Sequence, residues 1–335
     1  MKNRERFKKI MNFETPDRIP RIEFASYWDK TLERWYSEGL EKEKSDDIGL
    51  REGFGFDDYR QFWIQPYKNS CPEPPHHGAP VIGSDAGYSG IRKELYPMNA
   101  YDPRELEAAA EGQAAGDTVI WITLEGFFWF PRYLLGIEKH LYAFYDMPDL
   151  IHRINDELAD YHCEIFEKIR RCCSPDFMTF AEDLSYNMGP MISKNFFDEF
   201  LLPYYRRVIP ELDSAGTLGF VDTDGKVEEI IPWYEEAGMR GCLPVECNAG
   251  NDPLRIRKNH PGWLMIGGIE KRALYSGEVK MKEEVTRKFS LARGGGYIPS
   301  VDHQTPPEVS LEQYRKYTAE LALAAVIDGG AEQPL

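Results

Sequence analysis

The chain has 335 residues, of which 42% are hydrophobic and 29% are charged, so it can bury a sizeable core. Its 40 Lys and Arg against 56 Asp and Glu give a net charge of −16 at pH 7. A surface this acidic repels phosphate backbones and anionic lipid, and we expect neither nucleic acid nor membrane as a partner.

The six cysteines show no CxxC spacing, and in a chain of this length they predict no disulfide framework. The first twenty residues are charged throughout and lack the apolar centre of a signal peptide. No apolar run approaches the roughly 18 residues that a membrane span needs. We therefore expect a reduced, cytoplasmic protein.

The N-terminal part predicts two helices and two short strands. An amphipathic helix over residues 3–13 is followed by a candidate strand at 21–24. A second helix at 28–38 precedes a candidate strand at 54–56, which ends at Asp57. We interpret the first helix as an N-terminal extension of the main fold.

Residues 66–100 predict an insertion on that fold. The stretch 66–80 is rich in Pro and polar residues and is typical of a loop. Residues 81–95 alternate around Asp85-Ala86-Gly87 and predict a small hairpin.

From residue 101 onward, apolar runs alternate with helix-like segments. Each run is short and ends in polar or glycine residues, and the runs lie at 119–124, 177–180, 218–221, 241–245, 264–266 and 297–301. The helix-like segments lie at 103–112, 148–172, 193–209, 232–237, 281–292 and 310–327. Such alternation implies a parallel sheet, and eight candidate strands in all favour an α/β fold of the (β/α)8 TIM-barrel type. We predict a single domain over residues 1–335.

Polar side chains follow the candidate strands directly. They are Glu125, Glu182, Asp183, Asp222, Asp224, Glu246, Asp302 and His303. In a parallel barrel all strand ends open on one face, so these groups would converge in one cavity. Carboxylates that share a poorly hydrated cavity must take up protons, bind a cation or face a cationic substrate. The alternative is that two or three of them simply cap the helices that follow.

Three of these residues are candidate metal ligands. Asp224, Glu246 and His303 offer two carboxylates and one imidazole, a set that suits zinc, manganese or iron and leaves a coordination position open. Cys247 is a softer candidate, but adjacent strand residues point to opposite sides, so we do not expect it beside Glu246. The alternative is an acidic pocket without metal.

An aromatic patch, Phe127-Phe128-Trp129-Phe130, follows the strand at 119–124. It predicts either a plug beneath the barrel helices or a wall against a flat substrate or cofactor. Gly267-Gly268 with Lys271 and Arg272 is a weak signal for phosphate binding after the seventh strand.

Several stretches resemble the uroporphyrinogen decarboxylase superfamily over nearly the whole chain. They are Asn3-Arg4-Glu5-Arg6-Phe7, Pro16-Asp17-Arg18-Ile19-Pro20, Glu182-Asp183-Leu184, Gly189-Pro190-Met191-Ile192-Ser193, Asp224-Gly225, Gly267-Gly268-Ile269 and Gly295-Gly296-Tyr297-Ile298. The resemblance implies a (β/α)8 barrel with its site at the C-terminal mouth. It implies either a decarboxylase that needs no cofactor, or a zinc methyltransferase that exchanges methyl groups with a corrinoid on a partner protein.

The sequence departs from both branches of that superfamily. The decarboxylases carry an arginine-rich motif after the first strand, whereas residues 22–28 contain no arginine, although Asp57 could stand for their catalytic aspartate. The thiol-directed methyltransferases carry a His-x-Cys pair and a further Cys, and here Asp222-Thr223-Asp224 and Asp302-His303 take those places. Carboxylate and imidazole in place of thiolate favour a harder metal site.

The first hypothesis is therefore a corrinoid-dependent methyltransferase component that acts on a small methylated donor such as a methyl ether or amine. Its cofactors would be zinc or another divalent metal, and cobalamin carried by a partner protein; a homodimer is a further option. We predict four catalytic carboxylates, Glu182, Asp183, Asp222 and Asp57, and five substrate-binding residues, Glu125, Phe127, Trp129, Tyr186 and Asp302. The alternatives are a metal-free decarboxylase of a tetrapyrrole or smaller acid, and a non-catalytic barrel that binds a cationic or corrinoid ligand.

Overall fold

The computed structural model describes residues 1–25, 27–42 and 47–327. Its internal contacts divide the chain into two compact units. Unit 1 comprises Met1–Tyr59, Gln113–Val119 and Cys242–Leu335, and unit 2 comprises Arg60–Gly112 and Ile120–Gly241. The single-domain organisation stays a prediction.

The α-helices of the described residues are, in chain order, α1 (Asn3–Met11), α2 (Asp29–Ser37), α3 (Asp47–Gly53), α4 (Asp85–Ile91), α5 (Pro103–Ala115), α6 (Trp129–Leu135), α7 (Ile137–Asp146), α8 (Pro148–Arg170), α9 (Lys194–Phe200), α10 (Leu202–Ala215), α11 (Ile231–Glu236), α12 (Pro253–Asn259), α13 (Glu278–Ala292) and α14 (Leu311–Ala324). The strands are β1 (Tyr59–Ile64), β2 (Val119–Glu125), β3 (Phe177–Ala181), β4 (Ser185–Tyr186), β5 (Gly189–Pro190), β6 (Leu218–Asp222), β7 (Gly241–Leu243), β8 (Leu264–Ile269) and β9 (Tyr297–Val301). None of these helices combines the length and the apolar character that crossing a membrane requires.

Seven strands of the described residues form one sheet in the order β1-β2-β3-β6-β7-β8-β9. The pairs β2–β3, β3–β6 and β8–β9 are parallel, and helices connect the successive strands. The remaining strands, β4 and β5, form a separate antiparallel pair. The predicted α/β class with a parallel sheet is confirmed.

Unit 2 is built around β2 and β3, in which every residue is buried. Helix α8 begins at Pro148, whose missing N–H is unneeded in the first turn, and it buries a stripe that includes Leu150, Ile154 and Leu158. This helix and the two buried strands confirm what the apolar spacing predicted.

Unit 1 has its core on β8 and β9, which are buried throughout. Trp35, Phe54 and Tyr314 pack with ring centroids 4.7 to 5.6 Å apart. Helix α14, which carries Tyr314, starts with a capping box: the Ser310 hydroxyl accepts the N–H of Gln313, and the Gln313 side chain accepts the N–H of Ser310.

Three predicted elements near the N-terminus were wrong. Residues 21–24 are not a strand, and the strand expected at 54–56 lies instead at Tyr59–Ile64. The predicted hairpin at 81–95 contains helix α4, because the Ser84 hydroxyl accepts the N–H of Gly87 and caps a helical turn. The described residues therefore supply seven of the eight strands expected for the sheet.

Candidate functional site

The register of unit 2 places two of the predicted carboxylates level with each other. Glu125 at the end of β2 is the partner of Ala181 in β3, and Ala181 is the partner of Asp222 in β6. Side chains that leave parallel strands at one level lie along one edge of the sheet. The carboxyl edge of these three strands therefore carries both acids, as predicted.

Glu125 is buried, with 3% of its surface exposed. The Trp63 indole N–H donates to its Oε1 at 3.1 Å, while its Oε2 is buried without a hydrogen-bond partner in the described part of the chain. Burial raises the pKa of the Glu125 carboxyl to about 8, and the charges of Glu182 and Asp183 add to the increase. This carboxyl group has one oxygen left for a further hydrogen bond.

Glu182 is equally buried but fully engaged. Its carboxylate accepts the backbone N–H groups of Phe127 at 3.1 Å, Phe128 at 2.7 Å and Trp129 at 3.0 Å. It also accepts the hydroxyl hydrogen of Tyr205. Burial raises the pKa of Glu182 to about 7 against the opposing effect of these donors. Glu182 thus anchors the loop that follows β2.

The aromatic patch on that loop is mainly core. Phe127, Phe128 and Phe130 have no exposed surface, and Phe127 packs against Tyr205 with ring centroids 4.8 Å apart. We therefore correct the substrate-binding prediction for Phe127, because its ring is enclosed by protein. Trp129 is half-buried, and the Arg132 guanidinium lies 4.9 Å from its ring.

Three acidic residues of unit 2 crowd the ends of β3 and β6. The Asp224 N–H donates to Oδ1 of Asp183 at 3.3 Å, and Asp183 has the left-handed φ of 43° that is uncommon outside glycine. Burial, followed by the charges of Asp183, Asp224 and Glu125, raises the pKa of Asp222 well above its ordinary value. Repulsion of this kind is relieved by protons or by a cation.

Tyr186 lies on the short strand β4 and is 51% exposed. Its backbone packs closely on the loop after β6: the Lys226 N–H donates to the Tyr186 carbonyl at 3.0 Å. Gly225 has a φ of 79°, and a Cβ there would stand 2.5 Å from the Cα of Tyr186. Glycine is required at 225 by both its conformation and this approach.

In unit 1, Asp302 follows β9 and has no exposed surface. Its Oδ2 accepts the Cys247 N–H at 3.0 Å and its Oδ1 accepts the Lys271 N–H at 3.1 Å. Burial raises its pKa to about 6, while these two donors act in the opposite direction. Asp302 ties together the loops that follow β7 and β8, much as Glu182 anchors the loop after β2.

Cys247 directs its thiol into unit 1. The Sγ lies 3.2 Å from the Gly268 carbonyl oxygen and 3.7 Å from Nζ of the buried Lys288. Burial raises the pKa of this thiol to about 12, so it stays protonated. The thiol is therefore turned toward the packed interior of unit 1.

Asp224, Glu246 and His303 stay the predicted set of metal ligands. Asp224 lies in unit 2, and Glu246 and His303 lie in unit 1; all three side chains are half-buried. Two carboxylate oxygens and one imidazole nitrogen match the ligand preferences of zinc and other first-row divalent ions. Three ligands leave a position for a further group, so the donor set fits a catalytic ion.

Asp57 does not follow a strand; it precedes β1 and is 7% exposed. Its carboxylate pairs with the Arg18 guanidinium and accepts the Arg21 N–H at 3.0 Å. We therefore correct its predicted strand-end position: this carboxylate holds the segment 18–21 at the amino end of β1.

The contacts include residues that the sequence did not single out. Tyr205 lies inside α10, and Trp63 lies one residue before the end of β1, a strand that the sequence did not predict at this position. The alternation of residues along β1 is the one sequence signal that could have found Trp63. In the structure, Gln61 contacts Thr123 at 2.9 Å and Trp63 contacts Glu125.

The protein is similar to a known family and to several solved structures. Solved structures that it resembles include a methyltransferase from Methanosarcina mazei, at 14% identity, 96% coverage of this chain, 99% coverage of that chain and a TM-score of 0.63. A B12-independent methionine synthase from Shewanella sp. W3-18-1 matches at 13% identity over 66% of this chain and 65% of that one, with a TM-score of 0.43. A D-psicose 3-epimerase from Clostridium cellulolyticum H10 matches at 9% identity over 89% and 95%, with a TM-score of 0.42. No curated protein matches the sequence.

The first of these likenesses shows a shared fold of the TIM-barrel type, as predicted. The family model for uroporphyrinogen decarboxylase (URO-D) matches residues 113–321. Because this match covers more than half of the chain, the protein belongs to the uroporphyrinogen decarboxylase family.

Proposed function

We propose that this protein is a methyltransferase component that moves a methyl group between a small methylated donor and a corrinoid carried by a partner protein. The observation that carries the proposal is the crowding of Asp183, Asp222 and Asp224 at the ends of β3 and β6, where a bound cation would relieve the repulsion among the carboxylates. The fold supports it, because it is shared with a protein described as a methyltransferase.

The ligands predicted from the sequence, Asp224, Glu246 and His303, would hold a divalent ion. The chemistry that such an ion supplies is Lewis-acid withdrawal of electron density from the departing heteroatom. The neighbouring acids agree with a cation in this region. Asp183 and Asp222 stand beside Asp224, and the repulsion among these carboxylates is lowered when positive charge is bound.

The remaining residues position the substrate. Glu125 has a free acceptor oxygen at the carboxyl edge of the sheet, and the half-buried Trp129 offers an aromatic face on the loop that Glu182 anchors. Tyr186 stands exposed on β4 and suits contact with a donor or with the corrinoid-carrying partner. Rigid placement of such groups lowers the entropic part of the barrier to transfer.

Metal analysis tests the proposal directly. The wild type, purified without chelator and then supplied with zinc, manganese or iron, is expected to hold one ion per chain, and Asp224→Ala and His303→Ala are expected to lose it. His77→Ala, which removes an exposed histidine outside the predicted ligand set, is the matched control and keeps the metal. A wild type that binds none of these metals overturns the metal site.

Turnover is tested with reduced free cobalamin and a panel of methyl ethers, methyl thioethers and methylamines. Formation of methylcobalamin, followed by its absorption spectrum, is expected with the wild type and is expected to be abolished in Asp224→Ala. No methylcobalamin with any donor, in protein shown to carry metal, counts against methyl transfer.

The second candidate is a metal-free decarboxylase, and membership of the URO-D family favours it. Release of carbon dioxide from candidate acids, if it continues after a chelator has removed metal ions, would support this second function. The tetrapyrrole substrate is disfavoured, because several carboxylates at the strand ends would repel a substrate that is itself a polycarboxylate.

A further inference from the structure

Arg132 is a half-buried cation that pairs with no carboxylate in the described part of the chain. Its guanidinium makes one hydrogen bond there, from Nη1 to the backbone oxygen of Asp183 at 3.4 Å. Its other contact is with Trp129, whose ring centroid lies 4.9 Å from Cζ of Arg132. A guanidinium has five N–H donors and stays charged at neutral pH, so most of these donors are left for water or a ligand.

Partial burial makes the lack of a negative partner unfavourable. Loss of water around Arg132 lowers its pKa below the ordinary value, and the charge of Asp183 acts in the opposite direction. A desolvated charge is costly while it has no partner, and a carboxylate that accepts two parallel N–H bonds is among the strongest partners of a guanidinium. The position of Arg132 therefore favours an anion that comes from outside the chain.

Arg132 lines a cleft of about 170 Å³ in unit 2. Trp129 and Tyr133, which lie with Arg132 on helix α6, line the same cleft. Its other walls include three apolar residues, Pro74, Ala79 and Ile137. Cavities for drug-sized ligands have volumes from about 300 Å³ upward, so this cleft admits a smaller body, such as one ring or a short chain.

The walls of the cleft are held in place by contacts within unit 2. Tyr133 stacks on Tyr67 with ring centroids 4.9 Å apart and planes 7° from parallel. On the other side, the Ile137 N–H donates to the Gly78 carbonyl oxygen at 3.0 Å and fixes the preceding loop against α7. A cleft whose walls are already ordered loses less entropy when a ligand binds.

We propose that Arg132, Trp129 and Tyr133 bind a small monocarboxylic acid with an apolar body. The guanidinium would pair with the carboxylate through N–H groups that have no partner among the described residues, and the two rings would pack against the body of the acid. The ligand class thus follows from one cation and two aromatic rings that line one cleft.

The cleft is a poorer fit for a phosphate or a dicarboxylate. Arg132 is the only Lys or Arg among the described residues that line it, so a second negative charge on the ligand would have no second cation. The Asp183 contact with Arg132 is made by a backbone oxygen, which leaves the charge of the guanidinium for a single carboxylate.

Binding of the acid does not depend on the proposed function, but its role in recognising the methyl donor rests on that function. In the proposed enzyme, the donor would carry a carboxylate in addition to its methylated heteroatom. The test measures binding alone, in chelator-treated protein without cobalamin. Failure of the subsite therefore leaves methyl transfer standing, and failure of methyl transfer leaves the subsite standing.

The experiment compares benzoate with benzamide, which has nearly the same shape and no charge, by calorimetry at neutral pH. Benzoate is expected to bind the wild type at least about tenfold more tightly than benzamide. Arg132→Gln is expected to remove that preference and to leave benzamide binding unchanged. Arg132→Lys, which keeps the charge but not the planar fork, is expected to bind benzoate more weakly than the wild type.

Arg171→Gln is the matched control, because Arg171 lies just after α8 with 73% of its side chain exposed and the charge change is the same. This variant should keep the preference for benzoate. Thermal unfolding shows whether each variant is folded, and Arg132→Lys decides the question if Arg132→Gln fails to fold. No binding of benzoate to the wild type, equal affinity for benzoate and benzamide, or unchanged benzoate affinity in the folded Arg132 variant would each overturn the subsite.

Discussion

Tyr205 donates its hydroxyl hydrogen to Oε1 of Glu182, and both side chains are buried, at 0% and 1% exposure. The same carboxylate accepts three backbone N–H groups from the loop after β2. A carboxylate with four donors is held in one orientation and has little acceptor capacity left for a substrate. Its main task is to fix the loop that presents Trp129.

Tyr205→Phe is expected to destabilise the protein by roughly 1–3 kcal/mol, because it removes a donor from a buried carboxylate without changing the packed ring. The measurement is the free energy of unfolding in urea at pH 8. Tyr142→Phe, at a tyrosine with 60% exposure, is the control and should leave the free energy unchanged. Equal stability of Tyr205→Phe and wild type would show that the contact contributes nothing.

Gly126→Ala is expected to lower the free energy of unfolding more than a glycine-to-alanine substitution usually does. A Cβ at Gly126 would stand 2.2 Å from the Cδ of Glu182, and Glu182 cannot move without losing its backbone donors. We expect a loss of a few kcal/mol in the free energy of unfolding. Gly90→Ala, on α4 with no atom within 4 Å of the added Cβ, should be neutral or slightly stabilising.

Glu23 makes the stability of the protein depend on pH. It is 2% exposed and accepts hydrogen bonds from the Ser300 hydroxyl, the Val301 N–H and the Tyr314 hydroxyl, yet burial raises its pKa to about 8. Because this folded-state pKa lies above the ordinary value of 4.5, its contribution is fully present below about pH 4.5 and is lost as the pH rises through about 8.

Glu23→Gln keeps a neutral group of the same shape and should flatten that dependence. The difference in unfolding free energy between the variant and the wild type is expected to change by a few kcal/mol in favour of the variant between pH 5 and pH 9. Other buried acids, such as Glu125 and Glu182, titrate in both proteins and cancel in the difference. A difference that stays constant with pH would refute the assignment to Glu23.

His162 makes the stability of the protein fall at acid pH. The ring has no exposed surface, neither ring nitrogen has a hydrogen-bond partner in the described ranges, and it packs against Phe127 and Phe180. Burial lowers its pKa to about 3, so the unfolded chain takes up the proton first and stability falls as the pH drops below about 6.5.

His162→Phe removes that proton uptake. Relative to the wild type, the variant should gain about 2 kcal/mol between pH 8 and pH 5, whatever its packing penalty at pH 8. The check is urea unfolding at both pH values, with the exposed His77→Phe as control. A variant that shows no relative gain at pH 5 would mean that the ring accepts a proton without unfolding.

The apolar runs predicted strands β2, β3, β6, β8 and β9 correctly, because buried parallel strands read as unbroken apolar stretches. Strand β1 was missed because its residues Arg60 and Gln61 interrupt the apolar pattern and its side chains alternate in exposure. The helix at Asp85 was hidden by a glycine that is also typical of a hairpin turn.

The chemical roles of the acidic residues were harder to predict. Sequence position alone does not distinguish Glu182 and Asp302, which accept backbone N–H groups, from Glu125, which has an unused oxygen. The donors that decide this come from Phe128 and Cys247, on loops that follow other strands. Only the three-dimensional arrangement separates an anchor from a residue that is free to bind a ligand.

The close approach of Gly225 to Tyr186 couples an exposed turn to a metal-ligand candidate. Asp224 directly precedes Gly225, and the backbone N–H of Lys226 is hydrogen-bonded to Tyr186 on β4. A movement of the β4–β5 pair would therefore also move these three successive loop residues. A protein that binds to the β4–β5 pair from the solvent side would displace the Asp224 backbone as well. In the proposed function, docking of the carrier protein on β4 and β5 would therefore shift Asp224, one of the predicted metal ligands, through Gly225.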